Sequence, residues 1–312
     1  MAIAIRKSPV FVFLLTASAF GIEYDFRTLN FPGAMGTNLE DINDNGTIVG
    51  WYLGDDDFSR GLVWQSEIFS SPELEALEDV AFYGINDSGV VAGSALESET
   101  LDVISFTLAD GILNKIRFPD SDFSIVDGIN SHNVVVGSFA TEDFEFGSFQ
   151  NSGDRFEELK FDGFTEVTAY DINNNGVIVG SVLNANDELE GFVLDDGVFS
   201  TFNHADGETE LVALNDIGDI VGVRYTDEAA TYFIFDGNEF HDIAYPGAAI
   251  SEVWGINNRG DIVGSYLLDE SPTYQGFIGT RVPEPNIWHS LVFVVISFWP
   301  FFRQGSQAGH RN

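Results

Sequence analysis

The chain has no cysteine. Disulfides, thiolate nucleophiles and Cys-ligated metals are therefore excluded, and stability has to come from burial and backbone pairing. Basic residues are scarce: 13 Lys and Arg stand against 50 Asp and Glu, a formal charge of −37. Such a field repels nucleic-acid phosphates and anionic membrane surfaces, and favours loose association with cations or basic partners. There are only five His, and His289 and His310 lie close to the end of the chain. Between the two ends, no segment longer than ten residues combines a helical apolar period with capping residues. What the 312 residues do contain is 44% hydrophobic side chains and 14% aromatics, 29 of them Phe. That is ample for the core of one large domain or two small ones.

Both ends differ from the middle. Arg6 and Lys7 precede an apolar run from Val10 to Leu15 and then Thr16-Ala17-Ser18-Ala19. A charged start, a short apolar stretch and an Ala-x-Ala site predict a secretory signal over 1–19, cleaved after Ala19. The competing reading is a first core strand, but no acidic residue occurs before Glu23 in this otherwise acidic chain. At the other end, Pro283-Glu284-Pro285 precedes an apolar span closed by Arg303, with no acidic residue after Glu284. Counted from Ile287 the span is 16 residues, shorter than the ~20 of a comfortable membrane helix. Arg303 and Arg311 beyond it predict a cytoplasmic C-terminus. The alternative is a buried terminal strand or helix.

The main signal is an internal repeat. An aliphatic residue followed by Asn recurs at Asn43, Asn86, Asn130, Asn173, Asn215 and Asn257, at spacings of 43, 44, 43, 42 and 42. Three residues later stand Gly46, Gly89, Asn133, Gly176, Gly218 and Gly260. Asn-x-x-Gly is a tight turn, in which the Asn side chain bonds local backbone and the Gly takes a positive φ. Asn133 is the one departure, and Asn is the next best residue for a left-handed position. Seven residues after each Asn comes a Gly behind two aliphatic residues or a Val-Ala pair, a short strand ending where another backbone or ring comes close. An acidic loop, an aromatic run such as Gly191-Phe-Val-Leu194, a further turn and an alternating stretch complete each unit.

Each unit therefore holds about four short strands. Six units predict an all-β, six-bladed β-propeller-like domain over 20–280, one blade per repeat of about 42 residues. An open β-solenoid or two β-domains are the alternatives. Over 281–312 a separate tail with an apolar, transmembrane-type helix is expected. Within 20–280, 49 acidic and eight basic residues leave a charge of −41. If one repeat is one blade, the acidic loops (Asp55–Asp57, Glu97 and Glu99, Asp187 and Glu188, among others) project from one face as a ring of negative charge. That ring either gathers divalent cations or a basic partner, or simply solvates the hairpin tips.

The motif Gly-Ile-Asn-x-x-Gly-x-Ile-Val-Gly-Ser, clearest over Gly255–Tyr266, resembles the HAF-repeat extracellular proteins of bacteria, although the His-Ala-Phe signature itself is replaced by Gly-Phe, Ser-Phe or Tyr-Phe. The stretch Val282–Arg303 resembles the PEP-CTERM sorting tail of Gram-negative bacteria, carried by Pro283, Glu284, Pro285 and Arg303. The first resemblance implies an exported, propeller-like repeat protein. The second implies an exosortase-type membrane protease as partner and an exopolysaccharide or biofilm setting, at the cell surface or outside the cell, with a transient or permanent anchor.

No catalytic constellation stands out, and no Gly-x-Ser-x-Gly or phosphate-binding glycine loop is present. Asp41-Ile-Asn43-Asp-Asn45-Gly46 and Asp171-Ile-Asn173-Asn-Asn175-Gly176 match the opening half of a calcium loop. The closing positions are Tyr52 and Val182, neither a carboxylate, and the same residues also make good turns. The expectation is a non-enzymatic surface or matrix protein without a cofactor. A glycan- or Ca²⁺-binding module is the alternative, and a hydrolase or lyase the third reading. A site belongs where the copies differ, as at Trp51, His132, His204 and Arg224.

Overall fold

The computed structural model describes residues 22–283, apart from 142, 144, 270 and 272. The signal segment 1–19, and Glu284, Pro285 and Arg303 with the apolar tail, lie outside the described residues. No helix among the described residues is long and apolar enough to cross a membrane.

Among the described residues, twenty-four strands form six separate four-stranded antiparallel sheets. The first five sheets are consecutive in sequence, at 36–70, 77–116, 123–159, 164–202 and 208–243. The sixth takes three strands from 250–281 and its outermost strand, Tyr24–Thr28, from the start of the chain. In the first five sheets the first strand is innermost and in the sixth Ile250–Ile256 is, and each inner strand touches those of both neighbouring sheets, so the six close into a ring. The protein is a six-bladed β-propeller.

Closure is antiparallel, with Tyr24 opposite Arg281 and Thr28 opposite Phe277. It is extended by Leu29 N donating to Gly276 O at 2.8 Å and Val282 N to Glu23 O at 2.9 Å. The repeat count did not foretell this, because Tyr24–Thr28 carries no Asn-Gly turn.

Local chemistry fixes each blade. Gly46, Gly89, Gly176, Gly218 and Gly260 all have positive φ, and so does Asn133, at 58°. Each inner strand then bulges by one residue, at Glu40, Tyr83, Asp127, Tyr170, Val212 or Trp254. The bulge drives a carbonyl against the facing second-strand Gly: a Cβ on Gly50 would lie 2.1 Å from Asn38 O, and one on Gly264 1.9 Å from Glu252 O. That close approach explains the Gly behind each aliphatic pair.

Between blades, one fully buried ring of the third strand recurs as Phe106, Phe149, Phe192, Phe233 and Phe277. Blade 1 has Leu62 there, and Phe82 of blade 2 is large enough to compensate, its ring lying where a Cβ on Gly61 would fall.

The meander gives the disc two unlike faces. One, the turn face, carries the Asn turns and the third-to-fourth strand turns. Both ends of the disc's chain leave there, since the Tyr24 hydroxyl donates to Gly260 O at 3.0 Å and Arg281 packs against Gly260. The other, the loop face, carries every acidic second-to-third loop and every blade-to-blade linker. The acidic loops therefore share one face, as the repeat arithmetic predicts.

Candidate functional site

The axis is closed at the turn face by a ring of amides. Asn43 Nδ2 donates to Asn86 O at 2.9 Å, and the same bond links Asn86 to Asn130 (3.0 Å), Asn130 to Asn173 (3.1 Å), Asn173 to Asn215 (3.0 Å) and Asn215 to Asn257 (3.1 Å). Asn257 returns to Asn43 O at 3.3 Å. Each Oδ1 faces its own turn: that of Asn43 accepts from Asn45 N at 3.1 Å and Thr47 N at 2.9 Å. All six Asn are buried.

A second ring lies beside the first, formed by the residue after each Asn: Asp44, Asp87, Ser131, Asn174, Asp216 and Asn258. The amide of each donates to the side-chain oxygen of the next, for example Ser131 N to Asn174 Oδ1 at 2.7 Å and Asn258 N to Asp44 Oδ1 at 2.8 Å. Sequence reasoning missed this ring, although the signal was present as a short hydrogen-bond acceptor at this position in all six copies. The two rings leave an axial cavity of only about 60 Å³.

In both calcium-like runs the alternating side chains are engaged in hydrogen bonds. Asn43 and Asn173 are held in the amide ring. Asn45 Nδ2 donates to Asp87 O at 2.8 Å, and Asn175 Nδ2 to Asp216 O at 3.0 Å. Asp41 accepts from Ile42 N at 2.7 Å and Ile85 N at 2.8 Å; Asp171 accepts from Ile172 N at 2.7 Å and Leu214 N at 3.0 Å. These alternating side chains, Asp accepting and Asn donating, clamp neighbouring blades. No group of three or more metal-ligating side chains occurs among the described residues.

Behind the seal, carboxylates of separate blades influence one another across the axis. Burial raises Asp41, and Asp171 of blade 4 raises it further. Asp171 is raised by its own burial. Burial pushes Glu40 up to about 7 against the opposing hydrogen bond from Trp51 Nε1, which is 2.8 Å long. Asp127 rises to about 8 through burial and then the charge of Glu40.

Of the residues that break the repeat, His204 and Arg224 are brought together at 3.4 Å, with Arg224 forked onto Asp242 at 2.7 and 2.9 Å. Trp51 serves Glu40. His132 sits in the third Asn turn, where its amide donates to Asn130 Oδ1 at 3.0 Å. The four do not form one site.

The loop face opens between blades. Each linker places one residue against the second strand of its blade: Phe31 stacks on Tyr52 at 3.8 Å, Phe118 on Phe139 at 3.9 Å and Tyr245 on Tyr266 at 3.8 Å. Phe161 stacks instead on Phe199 at 4.0 Å, and His204 meets Arg224. Blade 2 alone has two non-aromatic residues in these places, Leu74 and Ala95. Beside them lies a cleft of about 490 Å³ between blades 1 and 2, whereas the corresponding space between blades 3 and 4 is about 170 Å³.

No protein-family model and no curated protein matches the chain. Among solved structures, AofleA from Arthrobotrys oligospora aligns at 11% identity and TM-score 0.51, over 86% of this chain and 91% of its own. The SapL1 lectin, solved in complex with α-methyl fucoside, aligns at 10% identity and TM-score 0.50, over 81% and 98%. The fungal lectin of Aleuria aurantia, described as a six-bladed β-propeller, aligns at 9% identity and TM-score 0.47, over 80% and 96%. At such identities the likeness to AofleA and SapL1 is one of fold alone.

Two outcomes are expected from this site. Asn130→Ala removes three hydrogen bonds, takes the Asn130 Oδ1 acceptor from two turn amides and leaves Asn173 O only its bond from Gly176 N, a loss of about 2–4 kcal/mol. Chemical denaturation measures it, and a loss below about 1 kcal/mol would show that the ring does not hold the blades. The second concerns pH. Unfolded carboxylates titrate near 4. Glu40 and Asp127 keep their protons to about 7 and 8 in the folded disc. Between those limits the folded chain binds more protons, so stability falls as pH rises. The contribution is complete below about pH 4 and gone above about pH 8. Thermal unfolding should therefore occur at a higher temperature at pH 5.5 than at pH 8.5, and Asp127→Asn should narrow the gap. An unchanged gap in that variant would contradict the assignment.

Proposed function

We propose that this chain is an exported, non-enzymatic propeller module that binds carbohydrate in a cell-surface or matrix setting. The observation that carries the reading is the opening of clefts between blades on the loop face, opposite the face where the chain ends leave the disc. These clefts combine aromatic rings with charged and hydroxyl side chains, the mixture that suits polyhydroxylated ligands. The lectin names among the similar structures agree with it, but at about 10% identity they contribute the fold and not the ligand.

The sorting half of the proposal rests on the resemblance of 282–303 to the exosortase tail, and the repeat resemblance to HAF proteins points the same way. The acidic loops of the loop face keep the surface soluble and repel polyanions.

The binding half is tested by passing purified protein over immobilised neutral glycans. Retention is expected, with elution by free sugar that is recovered chemically unchanged. Passage without retention, or the appearance of cleaved sugar, would overturn it. The export half is tested by intact mass of the protein recovered from its native host. A mass from Phe20 to near Glu284 is expected; one retaining either end would remove the corresponding processing step.

A further inference from the structure

The boundary between blades 1 and 2 is where the repeat departs furthest from itself. Leu62 takes the place of the buried third-strand ring, while Leu74 and Ala95 take the place of the linker pair. The linker and the strand it enters hold two non-Gly residues in the left-handed region, Ala76 at φ 62° and Asp79 at φ 47°. Such strain persists only where surrounding structure imposes it, and it gathers at ligand clamps.

The lining of this cleft is amphipathic. Tyr52 offers a ring fixed from behind by its stack on Phe31, and no protein group hydrogen-bonds its hydroxyl among the described residues. Phe58 stands at the mouth, 41% exposed. Arg60 lies flat against Asp56, at 2.9 and 2.6 Å, and a Cβ on Gly54 would fall 2.2 Å from its guanidinium. Asp79 accepts from Ser59 N at 3.0 Å and Ser59 Oγ at 3.3 Å, and Leu74 supplies an apolar wall.

We propose that the cleft between blades 1 and 2 binds a single neutral pyranose unit, an assignment that rests on the carbohydrate reading above. The volume, about 490 Å³, lies in the range of small-ligand sites. The two rings accept the C–H face of a sugar, as rigid amphipathic surfaces that lose little entropy on contact. The Arg60–Asp56 fork offers donors and acceptors side by side, which matches neighbouring hydroxyls. The charge balance selects against acids: Arg60 is the one cation lining the cleft, it is already paired, and Asp56, Glu73, Glu78 and Asp79 line the same cleft. A ligand carboxylate or sulfate would meet like charge.

The test is ligand-observed NMR titration of the purified propeller protein with methyl α-glucoside, methyl α-fucoside and N-acetylglucosamine, with glucuronate as the anionic counterpart. At least one neutral sugar should bind, and glucuronate should bind at least about tenfold more weakly, about 1.4 kcal/mol. Arg60→Ala changes an exposed side chain, and Leu74→Phe restores the aromatic that most other linkers carry. Each should weaken binding at least about tenfold with the thermal transition preserved. Val198→Ala, exposed on the turn face of blade 4, should leave binding unchanged. Neutral sugar bound equally well by both cleft variants would overturn the site and leave the carbohydrate reading standing. Glucuronate bound as tightly as glucoside would overturn the ligand class. No binding of any sugar would overturn both.

Discussion

A disc without disulfides needs some interaction that sets each blade against the next, and here it is a primary amide. Asn has an oxygen that accepts two backbone amides within its own turn and an N–H that reaches the next blade. Asp lacks the donor, and a hydroxyl is too short for both tasks. Six such residues, all buried, close a circle in which every carbonyl is both the end of one turn and the receiver of the previous one. Because the amide is buried, breaking one bond leaves donors and acceptors with no water to turn to, which makes the circle cooperative. The Tyr24–Thr28 strand completes the same circle at the rim, so that blade 6 is paired as fully as the others.

A scaffold this regular makes its irregularities informative. Asp41 and Asp171 occur in blades 1 and 4 where the other blades have Gly or Ala, and each reaches across to a backbone amide of the following blade. Burial disfavours the charged form of both, and the charge of Asp171 raises Asp41 further. The boundary between blades 1 and 2 is irregular in another sense: rings are missing there, and space appears. Where the amide circle fixes position, a lost side chain becomes a cleft, because the blades cannot collapse inward to fill it.

The two faces divide the labour. The turn face holds the seal and the exits of the chain. The loop face holds the acidic hairpins and the linkers, and it varies from blade to blade, away from the Asn ring. Surface loops on a rigid scaffold are the usual place for recognition.

Much of this was legible in the residues. The period from Asn43 to Asn257, the positive-φ positions and their Asn133 substitute, the strand count and the common face of the acidic loops all follow from local chemistry repeated six times. Local chemistry is what a linear pattern records. Other features depended on closing the ring. The calcium-like run at Asp41–Gly46 reads as a ligand loop in one dimension, yet its side chains reach residues 42 to 44 positions away. The convergence of Glu40 with Asp127 and the empty place beside Leu74 are likewise relations between blades. The sequence by itself determined the blade; only the tertiary structure decided which groups meet across the axis and at the blade boundaries, because those distances are set by rotation about the disc and not by spacing along the chain.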